Sequence, residues 1–113
     1  MKIIFLSLIL LNVSLSQIND KWQTYFEKSG YLKTPRYEET VEYFRMLDQN
    51  SEYGRMITIG ISPQGRDLNC FIASKDKAFT SEKAKTTGKP IILIINGIHA
   101  GEIEGKDASM MLP

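Results

Sequence analysis

Hydrophobic and polar positions change their period several times along the chain, and each change predicts an element. Residues 91–95, Ile-Ile-Leu-Ile-Ile, are five consecutive apolar β-formers between Pro90 and Asn96-Gly97. A run without alternation predicts a strand covered on both faces, as at the centre of an α/β sheet. Upstream, residues 56–61 place Ile57, Ile59 and Ile61 on one side of a strand. Residues 67–73 set Leu68, Cys70 and Ile72 against Asn69, Phe71 and Ala73. Between them Ser62-Pro63-Gln64-Gly65 has turn chemistry, Pro fixing φ and Gly admitting a positive one, so the pair predicts an antiparallel hairpin.

Helical spacing governs two other stretches. Tyr37, Val41, Phe44 and Leu47 form one apolar stripe, predicting an amphipathic helix from Pro35 to about Gln49. Thr34 is placed to cap it, and Pro35 suits the first helical position, where no N–H is needed. The carboxylates Glu38, Glu39 and Glu42 on this helix are explained by a solvated face. Trp22, Tyr25 and Phe26 have the spacing of a short helix packed on the domain body. Residues 75–90 read as a polar loop with one helical turn near Ser81–Lys85, and Glu102 to Leu112 as a helix following the apolar strand. Alternation of these elements predicts an α/β fold class.

The first residues carry a different signal. Met1-Lys2 is a minimal positive region and Ile3 to Leu11 an apolar core broken only by Ser7. Ser14-Leu15-Ser16 then puts small residues where a leader would be cut before Gln17. The run is too short to span a bilayer and no Cys follows it for lipid attachment, so no stable membrane anchor is expected. Residues 1–16 are read as a signal peptide and the product as secreted or periplasmic. Residues 17–54 are expected to form an N-terminal helical segment, and residues 55–113 the start of a further domain.

Charge and rare residues narrow the chemistry. The 113 residues include 14 Lys+Arg, 13 Asp+Glu, one Cys and one His. A net charge of +1, with no clustering of basic residues, gives no footprint for nucleic acid. One Cys excludes an internal disulfide framework and a Cys-based zinc cluster. Cys70 shares its strand face with Leu68 and Ile72, so a buried free thiol is expected. Arg66, just past the turn, suits an anion, a surface ion pair or a strand-end cap equally well.

The remaining candidate chemistry lies in Asn96-Gly97-Ile98-His99-Ala100-Gly101-Glu102-Ile103-Glu104-Gly105. In open α/β sheets, ligands collect beyond the carboxyl ends of the strands. Zinc accepts imidazole nitrogen and carboxylate oxygen, and the i, i+3 spacing of His99 and Glu102 around a strand-to-helix turn points both at one ion. Gly97 and Gly101 are expected to supply unusual backbone angles and room for a ligand. An HxxE spacing alone is common, and a lone His near a strand end is more often a hydrogen-bonded structural residue. The placement after an all-apolar strand and the flanking glycines favour the metal.

NGIHAGEIEGKDA resembles the first zinc-binding motif of the zinc carboxypeptidase family, the carboxypeptidase A-like metallopeptidases. TPRYEETVEYFRML is similar to their N-terminal helix, IGISPQGRDL to their first hairpin, and KPIILIINGIHAGE to their central strand with its metal loop. The secreted bacterial members with a His-Ala-Gly-Glu motif are the nearest in form. This resemblance implies a twisted mixed sheet flanked by helices, incomplete in this chain. It also implies one Zn2+ with His99 and Glu102 among its protein ligands, and peptide or protein C-termini as substrate. It further implies that the third ligand, a second His, lies beyond residue 113, together with the carboxylate-binding Arg and the activating Glu. Glu104, beside the ligand pair, is not that base. No catalytic residue is therefore expected within the 113 residues, and the chain alone is expected to be inactive.

Gly101 stands where animal digestive relatives carry Arg, which removes a cationic contact to substrate. That keeps open a zinc deacylase or amidase of the aspartoacylase/desuccinylase type, whose motif also bears Gly. A secreted binding module without catalysis is the alternative from another class.

Overall fold

The computed structural model describes residues 21–113. The signal-peptide reading of residues 1–16 and the start of the N-terminal helical segment lie outside the described residues. Among the described residues six elements follow one another: α1 (Tyr25–Lys28), α2 (Tyr37–Asn50), β1 (Gly54–Ile61), β2 (Asp67–Ala73), α3 (Ser81–Thr86) and α4 (Glu104–Met110). The chain is mixed α/β, with a two-stranded antiparallel sheet and helices around it.

Helix α1 is one turn, closed at its start by a reciprocal pair. The Glu27 N–H donates to Thr24 Oγ1 at 3.2 Å, and the Thr24 N–H donates to Glu27 Oε2 at 2.8 Å. This capping box satisfies two donors that helix geometry leaves free, at a site where Thr24 is only 1% exposed. Gly30 and Tyr31, at φ +70° and +65°, stop the helix. Phe26 and Tyr31 then meet edge to face, with ring centroids 5.3 Å apart.

Helix α2 starts two residues later than expected. Its N-cap is Arg36, in extended conformation, whose N–H donates to Glu39 Oε2 at 2.7 Å. Thr34 does not cap, because its hydroxyl is committed to Asp107 of α4, and Pro35 lies outside the helix with its carbonyl accepting from Lys106 Nζ. A proline also biases the preceding residue to extended backbone, so Thr34-Pro35 forms the approach to the helix. Of the apolar stripe, Leu47 is buried, Val41 and Phe44 are half-buried, and Tyr37 is exposed. Tyr37 spends its phenol on the β2 end, donating to the Asp67 carbonyl at 2.8 Å. The Arg66 guanidinium lies 5.3 Å from the centroid of the same ring, a cation–π contact that is none of the three roles its position suggested.

The hairpin forms with β1 and β2 in antiparallel register, Gly54 opposite Ala73 and Ile57 opposite Cys70. One face, with Met56 opposite Phe71, meets α2, where the Phe44 and Phe71 rings lie 5.0 Å apart. A shift between Thr58 and Gly60 interrupts the ladder, so Gly60, not Ile59, stands opposite Leu68. Ile57, Ile59 and Ile61 therefore do not hold one continuous side, because an extra residue breaks the period of two. Cys70 does share its face with Leu68 and Ile72, but it is half-buried, not buried, on a face where Leu68 and Ile57 are 47% and 39% exposed.

The largest difference concerns residues 91–95. They are extended in sequence character yet form no strand, and Ile91 to Ile95 are 55–80% exposed. A strand is defined by its ladder, since an extended segment cannot pair its own N–H and C=O groups. Among the described residues β1 and β2 pair only with each other, so 91–95 has neither hydrogen-bonding neighbours nor covering helices.

Helix α4 packs against α2, with Met110 1% and Asp107 5% exposed. This contact positions the segment that bears His99. The polar loop behaves as its composition predicts, with α3 capped by Thr80, whose Oγ1 accepts from the Lys83 N–H at 3.3 Å.

Candidate metal loop

The loop begins where the apolar run stops. Asn96 is followed by Gly97 at φ +66°, a left-handed conformation that glycine adopts without penalty. The chain then turns through Ile98 to Gly101. The Glu102 N–H donates to the His99 carbonyl at 3.1 Å and the Ile103 N–H to the Gly101 carbonyl at 3.2 Å. This turn folds Glu102 back over His99. The two side chains meet with Nδ1 of His99 2.7 Å from Oε1 of Glu102. The second carboxylate oxygen, Oε2, lies 3.4 Å from the His99 backbone nitrogen.

Two details differ from the expectation. Glu102 precedes α4 and is not its first residue: Ile103 is the N-cap and the helix begins at Glu104. The i, i+3 relation is thus made by a turn, which brings the pair closer than an extended exit would. Gly101 does not have a positive φ, and a Cβ built there would meet nothing within 4 Å. Its lack of a side chain leaves open space beside the pair, whereas the backbone requirement falls on Gly97 alone of the two.

The donor set suits zinc. Imidazole nitrogen and carboxylate oxygen are both accepted zinc ligands. Taking up an ion there would replace the hydrogen bond between His99 Nδ1 and Glu102 Oε1, so the pair would have to separate. With side chains 79% and 57% exposed, the pair has the freedom to do so. Imidazole and carboxylate thus fit as two ligands of such an ion. Among the described residues no group of three or more His, Cys, Asp and Glu side chains is placed to hold a metal. Glu104 is exposed in the first turn of α4.

Several residues that shape the loop carried no chemical signal in the sequence. Asn96 was read only as the end of a strand, yet its Nδ2 donates to Ser109 Oγ on α4. Gly105 lies under that side chain: a Cβ there would fall 2.6 Å from Asn96 Oδ1. A glycine inside a helix costs about 1 kcal/mol relative to alanine, and that cost was the available clue. Thr34 and Asp107, 73 residues apart, are joined at 3.0 Å and tie α4 to the approach of α2.

No curated protein and no solved structure matches the chain. A family model does match, described as Zinc carboxypeptidase, over residues 40–112. The match runs from within α2 through the hairpin and the His99–Glu102 turn to the end of α4. The family description implies zinc-dependent hydrolysis of peptides. With well over half of its length matched, this chain belongs to the zinc carboxypeptidase family.

Proposed function

We propose that this chain supplies the first part of the active centre of a secreted zinc carboxypeptidase, a hydrolase that removes C-terminal amino acids from peptides. The observation that carries the reading is the convergence of His99 Nδ1 and Glu102 Oε1 at 2.7 Å within the segment that matches the family. In this reading His99 and Glu102 hold the zinc, Gly97 makes the turn that lets them meet, and Gly101 leaves the approach beside them free. When bound, zinc supplies Lewis-acid polarisation of a carbonyl and lowers the pKa of a water molecule.

Two donors do not make a catalytic zinc site, which takes three protein ligands and one open position. The third ligand, the group that activates water and the cation that receives the substrate carboxylate are therefore assigned to polypeptide outside these 113 residues. Alone, the chain is assigned weak zinc affinity and no peptidase activity. Export through residues 1–16 belongs to the same proposal.

The test uses two preparations. The 113-residue chain and its His99→Ala variant are dialysed against Zn2+; the parent should retain more metal, and equal retention would remove the metal argument. The full-length gene product is then given peptides with free and with amidated C-termini, and N-acyl amino acids. Release of a terminal amino acid only from the free-ended peptide supports the carboxypeptidase. Release from N-acyl substrates alone would assign a deacylase instead.

A further inference from the structure

The Asn96 side chain is tied to α4 next to the metal loop, and nothing in the zinc reading uses it. Its Nδ2 donates to Ser109 Oγ, and its Oδ1 occupies the space that a Cβ on Gly105 would fill, 2.6 Å away. Asn96 therefore lies along α4 at two points, near its start at Gly105 and near its end at Ser109. It is also the last residue before Gly97, whose positive φ begins the turn to His99. Glu102, at the other end of that turn, enters α4 through Ile103. The loop bearing both donors is thus fixed to one helix from each side. Glu102 is fixed by covalent continuity and the start of the turn by the Asn96 contact.

We propose that Asn96, with Ser109 and Gly105, is a positioning device that sets His99 relative to Glu102 for metal binding; this rests on the zinc reading above. Gly97 is the freest backbone joint in the segment, and the residues before it, 91–95, are held by no ladder among the described residues. Without the Asn96 bond the start of the turn is held only by its own two backbone hydrogen bonds, so residues 97–101 are freer to move relative to Glu102, and that order must be restored when the ion binds. Groups that orient metal ligands in this way typically change affinity by about 10–100-fold when removed. The exposed setting of Asn96 places the expected loss near about tenfold, at the low end of that range.

The chain's single His makes the experiment direct, because one imidazole gives one set of ring resonances. Zn2+ alone is titrated into the 113-residue chain while the His99 ring protons are followed by NMR. Asn96→Ala, Ser109→Ala and Gly105→Ala should each weaken zinc at His99 by about tenfold. Ser109→Thr, which keeps a hydroxyl, should restore most of the affinity. The double variant Asn96→Ala/Ser109→Ala should be no worse than either single one, since they break the same bond. Amide shifts outside residues 96–109 report whether each variant retains its fold, so a general loss of structure is seen as such. Folded Asn96→Ala and Ser109→Ala variants with parental zinc affinity would overturn the positioning role while leaving the zinc reading intact. Equal zinc retention by the parent and His99→Ala in dialysis would overturn both.

Discussion

Thr34 donates its hydroxyl to Asp107 Oδ1 at 3.0 Å, joining the approach of α2 to a carboxylate that is only 5% exposed. Lys106 stands nearby, its Nζ on the Pro35 carbonyl and 3.9 Å from the same carboxylate oxygen. A buried carboxylate needs its hydrogen bonds, and removing a partner costs more than the bond contributes net. Thr34→Ala should therefore destabilise the chain by about 1–3 kcal/mol. Thr34→Ser, which retains the hydroxyl, should cost clearly less. Urea unfolding followed by circular dichroism measures both, and equal midpoints for alanine and serine would contradict the assignment.

Gly54 begins β1 where the Phe71 ring lies across the backbone. A Cβ at Gly54 would fall 2.6 Å from Phe71 Cζ and 3.7 Å from the Leu47 carbonyl oxygen. Gly54→Ala should overpack the contact between hairpin and α2, at a cost of about 1–3 kcal/mol. Adding Phe71→Leu should recover part of the loss, because the smaller side chain vacates the ring's outer edge. An additive double variant in the same unfolding assay would show that the ring is not the obstacle.

How far the sequence could be read depends on the range of the interaction concerned. The hairpin turn was legible because Ser62, Pro63 and Gly65 act within five residues: the Ser62 N–H donates to the Arg66 carbonyl at 2.7 Å, and Gly65 takes φ +76°. The meeting of His99 and Glu102 was legible for the same reason, being made by one local turn. The start of α2 was misplaced because Thr34 has two possible partners, a nearby helix N–H and a carboxylate 73 residues away, and the distant one wins. The shift at Ile59 was invisible because a bulge leaves the residue types of a strand unchanged. Apolar character at 91–95 fixed what the segment needs, a layer on each face, but it contained no information on which chain supplies that layer.

Tyr43 gives the chain a defined alkaline response. Its phenol donates to the Trp22 carbonyl at 3.0 Å, and burial pushes its pKa above the ordinary value, with the Glu27 carboxylate adding to the rise. A pKa raised by folding means that the folded state holds the proton more tightly than the unfolded chain. Tyr43 thus contributes stability fully below the unfolded value of about 10, and that contribution is lost as pH rises through the higher folded value. Tyr43→Phe should be less stable near neutrality, having lost the bond to Trp22, but should fall less steeply between about pH 9 and 11. Unfolding midpoints across that interval decide the point. Tyr53, also raised by its bond to Glu52, remains in both proteins and cancels in the comparison. Parallel slopes would mean that Tyr43 does not couple ionisation to folding.

Ile91 to Ile95 set the solution behaviour of the isolated chain. Each is more than half exposed, and the segment is apolar, β-branched or Leu, uncharged and free of Pro. Such segments pair with copies of themselves when no native partner covers them. The 113-residue chain should therefore self-associate with a steep dependence on concentration. Ile92→Lys, at the position with the greatest exposure of the five, should suppress it because stacked copies would bring like charges together. Since Ile92 is 80% exposed, the same change should leave the unfolding free energy of the monomer within about 0.5 kcal/mol of the parent. Light scattering across a concentration series measures the first effect and dilute-solution unfolding the second. If Ile92→Lys left self-association unchanged, the exposed face of the hairpin at Ile59 and Leu68 would become the surface to alter next.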